Sequence, residues 1–328
     1  MSSTSWFLFH LLLGAVGAWI VRGYARRRAL FDQPGERRSH AVPTPRGGGA
    51  AIAAALLVAT AWLAWRMPGY GPLLAGFGVG LALVSLVGWI DDHRPLPAWT
   101  RLGVHVVAGA VFALGSWIQS GDGLAALVAF GATVALVNVW NFMDGIDGLA
   151  STQAILVALV LAMLAGPVGS ALGIALVAAT FGFLPWNFPR ARLFLGDVGS
   201  GTLGFAIGGL VAMATAADPR ALVLSLLPLS GFLVDTGLTL CRRMLNGERW
   251  WQAHVSHAFQ HAARRHGHVP VTLAFAAWTA AMVAMAWMFR DMAVTPLTIA
   301  LLLSYASGSV AWWLLRRSDG LPAMENKE

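Results

Sequence analysis

Five aspartates stand at the ends of long apolar stretches, where carboxylates favour chemistry with cations or phosphates. Asp91 and Asp92 close one stretch, Asp144 and Asp147 follow another, and Asp197 opens a third. They account for a third of the 15 acidic residues in the chain. Like charges gathered at a membrane edge repel and are poorly solvated unless a cation or a functional demand holds them there. Whether the five can converge depends on the topology of the chain.

The adjacent pair Asp91 and Asp92 is followed directly by His93, Arg94 and Pro95. Neighbouring carboxylates offer hard oxygen ligands to Mg²⁺, or a base to a phosphate-bearing nucleophile. The alternative is an exposed helix C-terminus, which the helix dipole disfavours because negative charge is unfavourable there. The dipeptide alone leaves both interpretations open.

A polar strip is predicted where Asn138, Asn141, Asp144 and Asp147 recur at intervals of three residues. On a helix this spacing places all four side chains on one face. A helix end solvated by water and lipid headgroups is the alternative, but such ends favour Trp, Tyr, Lys and Arg. The pattern therefore favours a polar binding surface.

Asp197 follows Phe194 by three residues and lies at the start of an apolar stretch. Aspartate is well suited to cap a helix N-terminus, so a structural role is one interpretation. Phe194 could pack in the core or at an interface, or its ring could stack on a nucleobase. Both pairs of interpretations stay open at this point.

Five of the nine histidines fall within 15 residues near the C-terminal end of the chain. His254, His257 and His261 have the spacing of one helix face. A zinc site, a solvated amphipathic helix, and phosphate binding by imidazolium and arginine are the three interpretations. Zinc is disfavoured because no cysteine accompanies the histidines, and the one cysteine, Cys241, excludes an internal disulfide.

A basic, proline-containing segment runs from Asp32 to Arg46 and ends in Gly47, Gly48 and Gly49. Glycine-rich backbone before a helix suits phosphate binding. Membrane topology alone would also explain the arginines, so this segment allows two interpretations.

The composition is that of an integral membrane protein. Hydrophobic residues make up 57% and charged residues 11%, whereas soluble domains have about 25% charged residues. The net charge of +7 is nearly all arginine. Arginine beside membrane spans is expected for orientation alone, so the charge does not indicate nucleic-acid binding.

Eleven apolar runs predict an all-α, polytopic membrane bundle with an outside N-terminus and a cytoplasmic C-terminus. The predicted transmembrane helices lie near 6–22, 47–65, 71–90, 102–119, 123–141, 149–166, 168–187, 199–217, 221–241, 271–289 and 293–315. The connections on one face are about 22–46, 91–101, 142–148, 188–198 and 242–270, together with the tail 316–328. That face holds 19 of the 22 basic residues, so the positive-inside rule makes it cytoplasmic.

The same register places all five aspartates on the cytoplasmic face, where they can converge. No connection is long enough to fold alone, so residues 1–328 are predicted to form a single domain. The 242–270 connection should contain a short amphipathic helix. The glycine pairs Gly76/Gly80 and Gly204/Gly208 predict close packing between helices.

In this order, the segments resemble the polyprenyl-phosphate N-acetylhexosamine-1-phosphate transferases. The five motifs are Asp32-x-Pro34 through Gly48, Asp91-Asp92, Asn138 through Gly148, Asn187 through Ser200, and the histidine segment to His257. The resemblance implies transfer of a sugar 1-phosphate from a UDP-N-acetylated sugar to undecaprenyl phosphate, with release of UMP. It also implies a requirement for Mg²⁺, with Mn²⁺ as a substitute, and an active site facing the cytoplasm in the bacterial inner membrane.

The resemblance further implies a role for each matched residue. Asp197 would bind Mg²⁺, and Asp91 and Asp92 would handle the lipid phosphate, with Asp91 as the base. His254 and His257 would contact the diphosphate and complete the catalytic set. The residues that would bind substrate are Asn138, Asn141, Asp144, Asp147, Asn187, Phe194 and Arg46, with Phe194 stacking on uracil.

The sequence departs from the family pattern at His254-Val-Ser-His257. Many relatives carry three clustered histidines, whereas Ser256 stands in the middle here. This departure argues against the muramoyl-pentapeptide enzyme and favours the branch that starts O-antigen with UDP-FucNAc or UDP-QuiNAc. The sequence does not identify the sugar, and it leaves open whether the protein forms a homodimer.

Two other functions compete with the transferase interpretation. A secondary transporter also uses carboxylates within the membrane, but it places them near the midplane and often contains repeats. Here the carboxylates lie at one face and the sequence shows no repeat. A non-enzymatic scaffold or receptor would leave the five polar motifs without a purpose. Mg²⁺-dependent release of UMP distinguishes the transferase from both.

Overall fold

The computed structural model describes residues 1–33, 42–249, 251 and 254–317. Within these residues the chain forms twelve α-helices, a 3-10 turn at Pro68–Tyr70 and one pair of short antiparallel strands. The helices are α1 (Ser3–Arg27), α2 (Ala50–Arg66), α3 (Gly71–His93), α4 (Ala98–Ser120), α5 (Gly123–Met143), α6 (Leu149–Leu164), α7 (Gly166–Asn187), α8 (Gly196–Ala217), α9 (Arg220–Leu245), α10 (Ala258–His266), α11 (His268–Phe289) and α12 (Val294–Arg317). The strands are β1 (Phe31–Asp32) and β2 (Thr44–Pro45).

All eleven predicted apolar segments are helices, which confirms the polytopic helical bundle. In the described part of the chain, nine helices are long and apolar enough to cross a membrane. Two further apolar helices, α2 and α6, have 17 and 16 residues. Eleven crossings and the sides of the two termini stay predictions. Arg37, Arg38, Lys327 and most of the 316–328 tail, which entered the charge count, lie outside the described residues.

Helix α8 forms the centre of the bundle, and its most apolar stretch is completely buried. Two glycines allow α5 to lie directly against it. A Cβ at Gly204 would lie 2.3 Å from the Leu136 carbonyl oxygen, and one at Gly208 would lie 2.7 Å from Thr133 Cα. Small residues at a helix contact let the backbones approach this closely, as predicted from the spacing.

Gly76 and Gly80 give α3 the same kind of contact with α4. A Cβ at Gly76 would lie 3.0 Å from the Val111 carbonyl oxygen, and one at Gly80 would lie 2.9 Å from the Ala108 carbonyl oxygen. The prediction of close packing is thus confirmed for both glycine pairs.

Glycine contacts also fix the beginning of α8, where Asp197 lies. A Cβ at Gly88, on α3, would lie 2.5 Å from the Asp197 carbonyl oxygen. A Cβ at Gly49, just before α2, would lie 2.0 Å from Gly199 Cα. Helices α2, α3 and α8 therefore meet within about one turn of Asp197.

We expect Gly88→Ala to lower the melting temperature of the detergent-purified protein and to impair its activity. The added methyl group would push α3 away from α8, and overpacking of this kind costs about 1–3 kcal/mol. Gly103→Ala on α4 is the control, because a Cβ there meets nothing within 4 Å and alanine is the better helix former. Equal melting temperatures for the two variants would contradict this account of the contact.

Candidate active site

The predicted cytoplasmic connections enclose a cavity of about 630 Å³ at one end of the bundle. All five of these connections contribute to its wall. The predicted site residues that line it are Arg46, Asp91, Asp92, Asn141, Asp144, Asp147, Asn187, Phe194, Asp197, His254 and His257. The expected convergence of the five aspartates is therefore found in the fold, and their chemical roles stay predictions.

Asp91 and Asp197 face the same guanidinium group, that of Arg101. Arg101 Nη1 lies 3.1 Å from Asp91 Oδ2 and 2.8 Å from Asp197 Oδ2. The other oxygen of Asp91 accepts a hydrogen bond of 2.6 Å from the amide of Leu96. Two carboxylates from α3 and α8 thus share one centre of positive charge. Sequence reasoning counted Arg101 only toward orientation, and the surplus of nearby carboxylates was the signal for a partner.

Asp92 turns its carboxylate toward the backbone of α8. It is buried and accepts hydrogen bonds from the amides of Asp197, at 3.0 Å, and Val198, at 3.2 Å. These amides have no partner within the helix, so a carboxylate is favourable beside them and beside the positive end of the helix dipole. Arg46 donates to the Asp92 carbonyl oxygen. Asp92 therefore holds the beginning of α8, and with it Asp197, in place.

Asn141, on α5, completes the surroundings of Asp197. Its Nδ2 donates to Asp197 Oδ1 at 2.7 Å. One turn earlier, Asn138 donates to the Val134 carbonyl oxygen at 2.7 Å and does not reach this cavity. It lines a second, mainly apolar cavity of about 280 Å³ that shares Asn141, Asp197 and other residues with the first.

The predicted helical strip is wrong beyond Asn141. Helix α5 ends at Met143, so Asp144 and Asp147 lie in the connection to α6. Gly148 there has a φ of +73°, a left-handed conformation that glycine adopts without strain. The chain can therefore turn back sharply, and it brings both aspartates to the cavity without a shared helix face.

Asp147 and Asn187 form hydrogen bonds between the 142–148 connection and the chain around the end of α7. Asp147 Oδ1 lies 3.3 Å from His268 Nδ1, and Oδ2 accepts from the Ala191 amide at 3.1 Å. Asn187 Oδ1 accepts from the Gly148 amide at 3.1 Å. His268, at the start of α11, was not assigned a role from the sequence, although it also lines the cavity.

Among the described groups outside the spans, Asp144 has the pKa that is shifted furthest from its ordinary value. Burial, together with the negative charges of Asp92 and Asp147, raises the pKa of Asp144 to about 7. Near neutral pH this carboxyl group is therefore only partly ionised. A cation bound nearby would favour its ionised form.

We expect Asp144 to make the protein less stable as the pH rises. Its pKa is above the unfolded value of 3.8, so between about pH 4 and 7 the folded chain binds a proton that the unfolded chain has lost. Its contribution is therefore fully present below about pH 4 and is lost as the pH rises to about 7. Asp144→Asn should remove this trend, so the melting temperature of the variant should gain on wild type from pH 5 to 8.

Asp122→Asn, at the other end of α5, is the control for this substitution. Asp122 caps that end by accepting from the Leu124 amide at 2.8 Å, and asparagine caps helices equally well. A constant difference in melting temperature between Asp144→Asn and wild type across this pH range would contradict the raised pKa.

Backbone hydrogen bonds to the segment before α2 hold Phe194 at the cavity wall. The Phe194 amide donates to the Pro45 carbonyl oxygen at 2.8 Å. In return, the amides of Gly48 and Gly49 donate to the carbonyl oxygens of Phe194, at 2.9 Å, and Leu195, at 2.8 Å. The amides of Gly48 and Gly49 are thus occupied by backbone contacts, and both glycines pack closely against their neighbours. Phosphate binding by this segment, whose Arg46 lines the cavity, stays a prediction.

His254 and His257 stack with a centroid distance of 4.9 Å. They precede α10, which begins at Ala258, so the predicted helix face shared with His261 is wrong. His257 is the N-cap of α10 in an extended conformation, and its amide donates to Gln260 Oε1 at 3.2 Å. The predicted short helix in this connection is nevertheless present.

The two rings present their Nε2 atoms without a hydrogen-bond partner among the described residues, and both atoms are buried. His254 Nδ1 lies 2.9 Å from the Ser256 hydroxyl. Burial lowers the pKa of His254 to about 4, with further lowering by His257, Arg243 and Arg316. The neutral form of His254 is thus favoured at physiological pH, and phosphate binding by imidazolium and arginine stays a prediction.

The described residues contain no group of three or more His, Cys, Asp or Glu that could hold a metal ion. The zinc interpretation of the histidine segment therefore has no support in that part of the chain. Mg²⁺ makes a smaller demand, since one or two carboxylates and substrate phosphates suffice. Asp91 and Asp197 both direct a carboxylate oxygen at the Arg101 guanidinium, and Asn141 lies beside Asp197. Oxygens that converge in this way fit Mg²⁺.

Known proteins are similar to this chain in sequence. Residues 74–215 match glycosyl transferase family 4. A phospho-N-acetylmuramoyl-pentapeptide-transferase of Moorella thermoacetica is 34% identical over 239 residues, covering 62% of this chain and 71% of the relative. The chain belongs to glycosyl transferase family 4.

Two further relatives of this glycosyl transferase family 4 member carry related names. A decaprenyl-phosphate N-acetylglucosaminephosphotransferase of Mycobacterium tuberculosis (strain ATCC 25618 / H37Rv) is 32% identical over 231 residues, covering 61% of this chain and 56% of the relative. A probable undecaprenyl-phosphate N-acetylglucosaminyl 1-phosphate transferase of Bacillus subtilis (strain 168) is 28% identical over 273 residues, covering 73% and 71%. The chain thus spans little more than half the length of the mycobacterial relatives.

The family match extends from α3 to α8 and contains the five aspartates at the ends of apolar stretches, whereas Asp32, which also lines the cavity, lies outside it. Arg46 and the histidine segment lie outside it. The glycosyl transferase family 4 region therefore supplies the carboxylate centre and Arg101. It also supplies Asn141, Asn187 and Phe194, and the segments before and after the match complete the wall of the cavity.

Proposed function

We propose that the protein transfers an N-acetylated amino-sugar 1-phosphate from a UDP-sugar to undecaprenyl phosphate and releases UMP. The observation that carries this proposal is the pair Asp91 and Asp197, whose carboxylates share the Arg101 guanidinium where a polar and an apolar cavity meet. The polar cavity suits a nucleotide sugar, and the apolar one suits the beginning of a prenyl chain. The names of the relatives, which include polyprenyl-phosphate acceptors, support the same reaction.

The proposed reaction is an in-line displacement at the sugar-bearing phosphorus. An oxygen of the lipid phosphate attacks this phosphorus, the bond to the bridging oxygen breaks, and UMP leaves. Asp91 accepts a proton from the lipid phosphate or orients it, and Asp197 and Asp91 would hold Mg²⁺. When bound, Mg²⁺ offsets the charge of the two phosphate groups. Asp92 keeps the Asp197 carboxylate in position through the amides of α8.

Phe194 and the histidines act on the donor in this proposal. The Phe194 ring stacks on uracil. If the Ser256 hydroxyl donates to His254 Nδ1, the neutral ring carries its proton on Nε2 and can donate it to a diphosphate oxygen. Ser256 thus gives a neutral His254 a role in binding phosphate.

We further propose that the bundle crosses the bacterial inner membrane eleven times, with the cavity facing the cytoplasm. The basic residues of the connections around the cavity support this orientation. Ser256, in the middle of the histidine segment, supports a donor of the O-antigen-initiating type, such as UDP-FucNAc or UDP-QuiNAc.

Release of UMP tests the proposal directly. Purified protein in nanodiscs with undecaprenyl phosphate is given UDP-GlcNAc, UDP-GalNAc, UDP-FucNAc, UDP-QuiNAc or UDP-MurNAc-pentapeptide in turn. We expect UMP release with one donor class, and only when both Mg²⁺ and the lipid are present. Folded protein that releases no UMP with any donor would refute the proposed function.

A further inference from the structure

Asp235 is a buried carboxylate in α9 to which sequence reasoning gave no role. The residue is 3% exposed. It accepts hydrogen bonds from the amides of Ala258 and Phe259, each at 2.9 Å, and lies 3.3 Å from His257 Nδ1. Thr239 donates a further hydrogen bond of 3.1 Å. Four donors thus compensate a charge that would otherwise be costly to bury.

The position of Asp235 determines how the His257 ring is oriented. A carboxylate accepts hydrogen bonds, so His257 Nδ1 must carry a proton toward α9. The opposite ring atom, Nε2, is buried and has no hydrogen-bond partner among the described residues. His257 itself lines the cavity. Stacking on His254 and on Phe259, with centroid distances of 4.9 and 5.7 Å, fixes the ring plane.

Helix α12 supports the same segment from behind. Trp312 Nε1 donates to Thr239 Oγ1 at 3.1 Å, and Thr239 in turn donates to Asp235. Arg316 Nη1 donates to the Ser256 carbonyl oxygen at 2.7 Å. The backbone before His257 and the carboxylate beside it are therefore both held by contacts that reach α12.

A simple helix cap does not require this arrangement. A side chain of the connection itself, such as serine or aspartate, would cap α10. Here a carboxylate from another helix caps α10 and engages the N-cap imidazole as well. The helix end and the histidine ring are thereby fixed to α9 together.

We infer that Asp235 is a positioning residue of the cavity, which holds His257 with Nδ1–H toward α9 and Nε2 toward the diphosphate of the bound donor. The identity of that ligand rests on the proposed function. The contact between Asp235 and the His257 ring does not rest on that function, and it can be measured separately.

The hold on the ring is tested by NMR of the full chain in nanodiscs with ¹⁵N-labelled histidine. Wild type should show a protonated, hydrogen-bonded Nδ1 signal that His257→Gln removes. Asp235→Asn keeps an acceptor oxygen for the α10 amides but loses the carboxylate, and we expect it to lose this signal. An unchanged signal in folded Asp235→Asn would overturn the inference.

The effect on the reaction is tested with the UDP-sugar that wild type uses. Asp235→Asn should lower kcat about 10-fold or more, with KM for the donor changed less than about 3-fold. In a His257→Gln background the same substitution should cost less than about 2-fold, because Asp235 acts through the ring. Losses that multiply, or an unchanged kcat, would overturn the inference. Asp218→Asn, just before α9 at its other end, is the control.

Two further outcomes keep the two proposals apart. If wild type uses no UDP-sugar, the proposed function fails, and the histidine signal alone decides the role of Asp235. If Asp235→Asn does not fold, Asp235→Ser is used, because its hydroxyl can still accept from an α10 amide. Loss of folded protein in both variants, while His257→Gln folds, would make Asp235 a residue needed for folding and overturn the inference.

Discussion

Asp197→Ala should abolish sugar-phosphate transfer and leave the bundle folded. Asp197 Oδ2 faces Arg101 and Oδ1 accepts from Asn141, so both oxygens of the carboxylate face polar groups at the cavity. None of its neutral neighbours can replace a carboxylate as a ligand of a hard cation. Loss of cation-dependent stabilisation of several kcal/mol corresponds to a fall in turnover of about 1,000-fold.

The measurement is UMP release over a range of Mg²⁺ concentrations. Asp218→Ala is the matched control, because Asp218 follows the other end of the same helix, where it contacts Arg220. Melting temperature and UMP binding by calorimetry show whether Asp197→Ala remains folded. Near-normal turnover with an unchanged Mg²⁺ dependence would remove the metal role from Asp197 and assign it to another cavity carboxylate.

The helices were predictable from the sequence because apolar length is a local property. Runs long enough to span a membrane mark a helix wherever they occur, and charged, Pro or Gly breaks separate them. The ends of elements were less predictable. Asp144 and Asp147 have helical spacing, but Gly145 and Gly148 between and after them allow the chain to leave the helix at Met143. The histidine segment likewise has helical spacing, yet α10 begins only after His257.

The convergence of the aspartates was predictable because charge bias fixed which connections share a face. The residues that contact these aspartates and the histidines were not predictable. Arg101 acts through a contact between α4 and α8, far apart in sequence, and Asp235 through a contact between α9 and the start of α10. Spacing along the chain does not report such contacts. The contacts of Gly48 and Gly49 were not predictable for the same reason, since their amides donate to Phe194 and Leu195, just before α8.

The aspartates of the cavity should divide between turnover and nucleotide binding. Asp91 lies at the end of α3 and shares Arg101 with Asp197, which lines both cavities. Asp147 holds the connection that carries Phe194, through the Ala191 amide, and also pairs with His268. The first position suits a group that acts on the acceptor in the transition state, and the second a group that keeps the nucleotide pocket in shape.

We therefore expect Asp91→Asn to lower turnover about 100-fold or more, as loss of a general base does, with little change in UMP affinity. Asp147→Asn should weaken UMP binding about 10-fold, because an amide in place of the carboxylate loses the charge-assisted hydrogen bond from the Ala191 amide. Calorimetry with UMP and steady-state turnover on both variants separate the two effects, with Asp122→Asn as the control substitution. The assignment fails if Asp91→Asn loses UMP binding while Asp147→Asn retains it. The reason is that the carboxylate beside Arg101 would then serve the nucleotide, and the one beside His268 would not.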